Sequence, residues 1–276
     1  MKFKSNFTFG SSTAEDDNLL STAYFDNGDF QAIVSPQDPR CFIIGRTGSG
    51  KSAALRILEE NYRHKVIRVT PENLSFPYIT NLTVIRELTN LGVHLEPFFK
   101  ALWKHVIVVE VLKHRYGVTS EEKKLNLLTA LKERFMRDER KIKALDYLNE
   151  FGDKFWCETD ERVKQIAETF ERKFKASGGM GVKHMDIGVE LSSDKENNYS
   201  ISQQRELANR YQRIVNETQV PRLNEMVTTL SDYILDAAQH FTYLIIDDLD
   251  KQWIEEDLSN TLVRCLLSTN IKLMKD

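Results

Sequence analysis

Apolar residues along this chain fall into two kinds of pattern, short unbroken runs and longer stretches spaced three and four apart, and the two predict different elements. Phe241-Thr242-Tyr243-Leu244-Ile245-Ile246 is almost wholly apolar or aromatic and stops at Asp247-Asp248-Leu249-Asp250. Such a run reads as a strand buried on both faces, of the kind found inside parallel sheets. Cys41-Phe42-Ile43-Ile44 reads as a second strand, which puts Cys41 in the core. Lys65-Val66-Ile67-Arg68-Val69-Thr70, halted by Pro71, reads as a third. Helical spacing governs most of the rest. Ala53 to Glu60 is helix-forming, and Ala101 to Tyr116 is apolar round most of its circumference, as in an interior helix. Thr119-Ser120-Glu121-Glu122 fits a capping box ahead of Leu125, Leu128, Leu131 and Phe135 at near-helical spacing. Leu223, Met226, Val227, Leu230 and Ile234 form another apolar face, with Pro221 near its start, and a last helix is expected from Leu258 to Met274. Between these, Met185, Ile187, Val189 and Leu191 alternate with Asp186, Gly188 and Glu190, the signature of a half-buried strand or hairpin near 182–193.

Candidate chemistry sits where the first of these runs gives way to the first helix. Gly45-Arg46-Thr47-Gly48-Ser49-Gly50-Lys51-Ser52 has the form G-x-x-x-x-G-K-[ST] of a phosphate-binding loop, in the strand–loop–helix setting that the motif requires. At average residue usage such an octamer arises by chance in roughly one chain in a hundred of this length. The glycines let the backbone curl with its N–H groups turned inward, and the positive end of the following helix adds to that cradle for a β-phosphate. Lys51 would reach the β- and γ-phosphate oxygens, and the Ser52 hydroxyl would bind Mg²⁺. The acidic turn after Ile246 complements it. Ligands of open α/β sheets bind at the C-terminal edges of the strands, which suits Asp247 to the Mg²⁺ and Asp248 to polarising an attacking water. Successive strand side chains point to opposite sides, so the two acids are expected to divide these roles, with Asp250 as a substitute for Asp248 or a cap for the next helix. The plain alternative is an N-capping turn.

Gly45 to Ser52 resembles a Walker A motif and Leu244 to Asp248 a Walker B motif whose second acid is Asp. Leu-Ile-Ile-Asp-Asp-Leu-Asp-Lys is similar to the metal-site strand of KAP-type and STAND-type P-loop ATPases, relatives of the AAA+ group. The resemblance covers residues 38–75 and 240–253 closely and the region between only in architecture. It implies an α/β fold, a P-loop NTPase parallel sheet flanked by helices, with ATP and Mg²⁺ as ligands, Asp247 on the metal and Asp248 activating water. AAA+ relatives usually carry Glu at the second place, so the shorter Asp suits a slow switch. The stretch between Ser52 and Asp247 far exceeds the roughly 30 residues of one crossover unit, so a large, mainly helical insertion between the two motifs is expected. The expected organisation is an N-terminal arm over 1–37, an NTPase core over 38–94 and 236–276, and the insert over 95–235. The arm reads as a surface segment with one helix or as a lining of the adenine pocket. In the resembling group further strands, a sensor residue and a lid arginine follow the Walker B strand. The expectation is therefore that this is a piece of a longer protein, and nothing identifies an arginine finger.

Composition narrows the partners. The 276 residues carry a formal charge of −3 with 29% charged residues, both signs interspersed, so no global pull toward nucleic acid is visible. The basic stretch Arg134, Arg137, Arg140, Lys141 and Lys143 is interrupted by Asp138 and Glu139, and reads as a solvated helix face. Three widely separated cysteines, Cys41, Cys157 and Cys265, indicate reduced thiols. No segment is apolar for long enough to cross a bilayer, and the start lacks the apolar region of a signal peptide, so a cytoplasmic location is expected. The function expected is an ATP-binding, slowly hydrolysing switch with a homo-oligomeric or effector-protein partner. By analogy with the group it acts in bacterial signalling or phage defence. Two alternatives stand beside it: a nucleotide-dependent scaffold that scarcely hydrolyses ATP, and a DNA-stimulated ATPase partnered with a nuclease.

Overall fold

The computed structural model describes residues 10–70, 82–118, 121–152, 201–217, 220–234, 242–249 and 254–273, less positions 12, 15, 27 and 36, together with 165 and 251. In chain order these form α1 (Leu20–Ala23), α2 (Asp29–Val34), α3 (Lys51–Asn61), β1 (Val66–Val69), α4 (Leu82–Asn90), α5 (Glu96–Tyr116), α6 (Glu121–Arg134), α7 (Glu139–Phe151), α8 (Ile201–Glu217) and α9 (Val220–Thr229). A π-helical turn (Leu230–Ile234), β2 (Tyr243–Ile246) and α10 (Glu256–Leu273) follow. The described residues are mainly helical. Their one sheet has two strands, β1 beside β2. Tyr243 N–H donates to the Lys65 carbonyl at 2.7 Å and Asp247 N–H to the Val69 carbonyl at 3.4 Å, so pairing advances in the same direction on both strands and the pair is parallel.

Two compact units divide the chain, residues 1–68 with 237–245 and residues 69–236 with 246–276. The core of the first is Phe30, Ala54, Leu55, Ile57, Leu58 and Ile245, with Tyr24, Ile33, Tyr62, Val66 and Tyr243 packed against it. Helix α3 contributes four of those six residues, so one long face of α3 is pinned to α2 and β2. Burying each such aliphatic side chain contributes about 1.5–3 kcal/mol. Tyr243 spans part of this core: its ring meets Tyr62 edge-on at 5.3 Å, and its hydroxyl donates to the Val34 carbonyl at 2.5 Å. Arg56 adds a hydrogen bond to the Ala14 carbonyl and an ion pair with Glu60 at 3.0 Å.

The second unit is built round α5, against which α7, α8, α9 and α10 pack. Eleven of its side chains are buried, including Phe98, Phe99, Trp103, Val106, Val109 and Leu112, as its apolar circumference predicts. It starts with Pro97 in the first turn and ends where Gly117 turns left-handed at φ 68°, letting Val118 N–H reach the Lys113 carbonyl at 2.9 Å. Trp103 Nε1 donates to the Leu262 carbonyl at 2.8 Å, joining α5 to α10, and His105 Nδ1 lies 2.7 Å from the Tyr147 hydroxyl on α7. Burial pushes the Tyr147 phenol up from its ordinary pKa.

Expectation and structure part company at Cys41–Ile44. These residues form no strand. All four are exposed, Ile44 at 94%, and Cys41 is a surface thiol, not a core one. A strand exists only through its ladder, and among the described residues the β1–β2 pair provides this segment with no neighbour. In β2 only Ile245 is fully buried, the rest being half-buried, so the strand is less enclosed than its run of apolar residues implies. The N-terminal arm carries two short helices where one was expected. The capping box at Thr119-Ser120, the strand near 182–193, Asp250 and Cys157 lie outside the described residues.

Candidate phosphate-binding loop and acidic turn

The loop from Gly45 to Gly50 is exposed and runs directly into α3 at Lys51. Its glycines are used for conformation: Gly48 has φ 79° and Gly50 φ 88°, the left-handed region that side chains with a Cβ enter only at a cost. Ser49 N–H closes the turn onto the Arg46 carbonyl at 3.1 Å. At Gly45 the need is space, because a Cβ there would stand 2.4 Å from the Ser49 hydroxyl oxygen. The Lys51 ammonium folds back over the loop, donating to the Gly45 carbonyl at 2.8 Å and the Arg46 carbonyl at 3.2 Å. Gly45, Arg46, Ser49 and Lys51 therefore meet in one small ring. Gly50 serves as the N-cap of α3 without a side-chain bond, and no acidic residue stands in its first turn. Among the described residues no side-chain cap or first-turn acid compensates the positive end of the helix, an arrangement that suits an anion. Ser52 lies half-buried in that first turn.

Asp247 and Asp248 belong to the second unit. They leave β2 as a tight turn. Asp248 N–H donates to Asp247 Oδ1 at 2.9 Å, Lys251 N–H to the Asp248 carbonyl at 3.1 Å, and Lys251 Nζ to Asp248 Oδ2 at 2.7 Å. Asp248 has φ 60°, the one non-glycine residue with positive φ among the described residues. Strand alternation therefore does not separate the two carboxylates, as the sequence pattern implied. β2 ends at Ile246, and the backbone turns left-handed at Asp248. Lys251 is the member of this group that sequence reasoning passed over. The available signal was a lysine three residues after the second acid, within reach across one turn.

The donor chemistry suits a hard divalent cation. The Ser52 hydroxyl in the first unit and the Asp247 carboxylate in the second are each oxygen donors of the kind Mg²⁺ takes. Among the described residues no group of three or more His, Cys, Asp or Glu is gathered to hold a metal. A cleft of about 530 Å³ elsewhere in the first unit is lined by Arg56, Glu59, Glu60, Arg63, Val66 and Arg68 and includes no loop residue. Arg56 pairs there with Glu60 at 3.0 Å and Arg68 with Glu59 at 3.5 Å, which makes it a charged surface held by its own ion pairs. The basic stretch at the start of α7 is similarly occupied: Lys141 pairs with Asp138 at 2.9 Å and Lys143 with Glu225 at 3.1 Å.

No protein-family model and no solved structure matches this chain. Among curated proteins, a 124-residue stretch is 27% identical to a protein of Escherichia coli (strain K12) that bears the name "Putative transposon gamma-delta 80.3 kDa protein". That similarity takes in 40% of this chain and 16% of the relative, so the chain spans well under two thirds of the relative's length. Among the described residues no helix is long and apolar enough to cross a membrane.

Proposed function

We propose that the chain binds Mg-ATP through Gly45–Ser52 and hydrolyses it slowly as a nucleotide-controlled switch, with an α/β P-loop NTPase core that carries a mainly helical insert. The observation that carries this reading is the loop itself: left-handed glycines at 48 and 50 deliver the chain into an uncapped helix end, with the Lys51 ammonium resting on loop carbonyls. Both acceptors are neutral carbonyl oxygens. On binding, Lys51 exchanges two carbonyl oxygens for phosphate oxygens, a gain because bonds to ionised acceptors are the stronger ones. The loop N–H groups and the start of α3 would hold the β-phosphate, with the Ser52 hydroxyl as a ligand for Mg²⁺ and the Asp247 carboxylate as a donor of the same kind; Mg²⁺ would supply charge neutralisation at the phosphate oxygens. Asp248 takes the proton of the attacking water.

Lys51→Ala is expected to weaken Mg-ATP binding at least about a hundredfold, or ~2.7 kcal/mol, in a titration calorimeter. Asp248→Asn should retain that binding and lose phosphate release. Wild-type affinity in Lys51→Ala would refute the loop assignment, and normal hydrolysis in Asp248→Asn would refute the base. A second reading, a DNA-stimulated ATPase partnered with a nuclease, draws on the word transposon in the name of the E. coli relative. Phosphate release measured with and without duplex DNA separates the readings. Stimulation favours the second, DNA-independent release the first, and binding without release a nucleotide-dependent scaffold.

A further inference from the structure

We infer that Lys251 is the positioning residue for Asp248, holding its carboxylate in a left-handed backbone conformation through a tie at each end of the residue. This rests on the reading of Asp248 as the group that accepts the proton of water. The ties are specific. Lys251 N–H closes the turn on the Asp248 carbonyl at 3.1 Å while Nζ holds Oδ2 at 2.7 Å, and on the other side Asp248 N–H is held by Asp247 Oδ1 at 2.9 Å. A non-glycine residue at φ 60° persists where its surroundings over-determine it, and here three hydrogen bonds from two neighbours do so. The charge matters as well as the geometry. Asp247 and Asp248 are adjacent carboxylates, and a cation on Asp248 offsets the repulsion that would otherwise turn one of them away.

The arrangement also divides the labour of the two acids. Asp247 uses Oδ1 on the Asp248 amide, and Asp248 uses Oδ2 on Lys251. One oxygen of each acid is thereby fixed in direction, that of Asp247 by the Asp248 amide and that of Asp248 by the Lys251 ammonium. With Lys251 shortened to an apolar chain, the turn retains its backbone bond and loses the side-chain bond, so the carboxylate gains rotational freedom without loss of the fold. Lys251 is 59% exposed at its side chain and Asp248 27%, so the pair is partly solvated and its removal loosens rather than unfolds.

The test compares Lys251→Met and Lys251→Arg with Asp248→Asn in steady-state phosphate release. Lys251→Met is expected to lower kcat by about threefold to tenfold with the KM for Mg-ATP within about twofold. Lys251→Arg should recover most of the loss, and adding Lys251→Met to Asp248→Asn should cost nothing more. Wild-type kcat in Lys251→Met, or an equal loss in Lys251→Arg, would overturn the proposal while leaving the ATPase reading intact. If instead the wild-type protein releases no phosphate, or Asp248→Asn releases it normally, the ATPase reading of Asp248 fails. The tie itself is then decided by the carboxyl carbon resonance of Asp248 in labelled protein. Lys251→Met should shift that resonance and Lys251→Arg should restore it; an unmoved resonance in Lys251→Met overturns the inference.

Discussion

At Gly50 a single missing Cβ decides whether the loop can form. Its φ of 88° lies where an L side chain crowds the following carbonyl, and nothing else stands within 4 Å of the place a Cβ would occupy. The cost of Gly50→Ala is therefore backbone strain alone, about 1–2 kcal/mol. Denaturant unfolding should show that loss, accompanied by weaker nucleotide binding. Gly45 fails differently, because a Cβ would press on Ser49 Oγ. A serine side chain can rotate away, so Gly45→Ala is expected to disturb the loop less than Gly50→Ala does. The two free thiols among the described residues differ in the same local way. Cys41 is exposed, whereas burial and the nearby Glu96 carboxylate push the Cys265 thiol up from its ordinary range. Alkylation mapped by mass spectrometry should reach Cys41 before Cys265.

Among elements, α7 shows how one residue starts a helix. Asp138 stands at its N-cap, accepts from Lys141 N–H at 3.2 Å and pairs with the Lys141 ammonium at 2.9 Å. The hydrogen bonds from Lys141 hold the Asp138 carboxyl below its usual pKa. A carboxylate whose pKa is lowered on folding contributes stability that is present above its unfolded value, near 4, and is lost as pH falls through the lower folded value. Unfolding followed by urea between pH 6 and pH 2 should therefore lose the cap's contribution only at the acid end. Asp138→Ala should remove about 1 kcal/mol at pH 7 and flatten that part of the profile. Asp138→Asn, which keeps a capping oxygen without the charge, should retain much of the stability and lose the acid dependence. Helix α3 depends on a different end. It has no side-chain cap hydrogen bond, and its residues 54, 55, 57 and 58 hold it to the core.

For the molecule as a whole, ligand linkage gives the measurable consequence of an ATP site. A ligand present at a hundred times its dissociation constant and bound only to the native state stabilises it by about 2.7 kcal/mol. That should raise the thermal midpoint of wild-type protein by several degrees in Mg-ATP. Lys51→Ala should remove the shift. Absence of a shift in the wild type at saturating nucleotide would count against the proposed function directly.

Much of this chain was legible from its own periodicity. The helices at Lys51–Asn61, Glu96–Tyr116, Glu121–Arg134, Val220–Thr229 and Glu256–Leu273, and the strands at Val66–Val69 and Tyr243–Ile246, lie where the spacing of apolar residues places them. Such elements are stabilised by near neighbours in sequence and by a face whose burial the pattern already announces. The loop motif was legible too, because glycine, lysine and serine at fixed spacing state a backbone requirement locally. What the pattern could not decide was pairing. Cys41–Ile44 has the composition of a strand and is exposed, since a strand depends on a partner that its own residues do not specify. Nor could it decide what holds Asp248. The left-handed turn and the Lys251 bond arise from where the backbone goes after leaving β2, which only the folded chain determines.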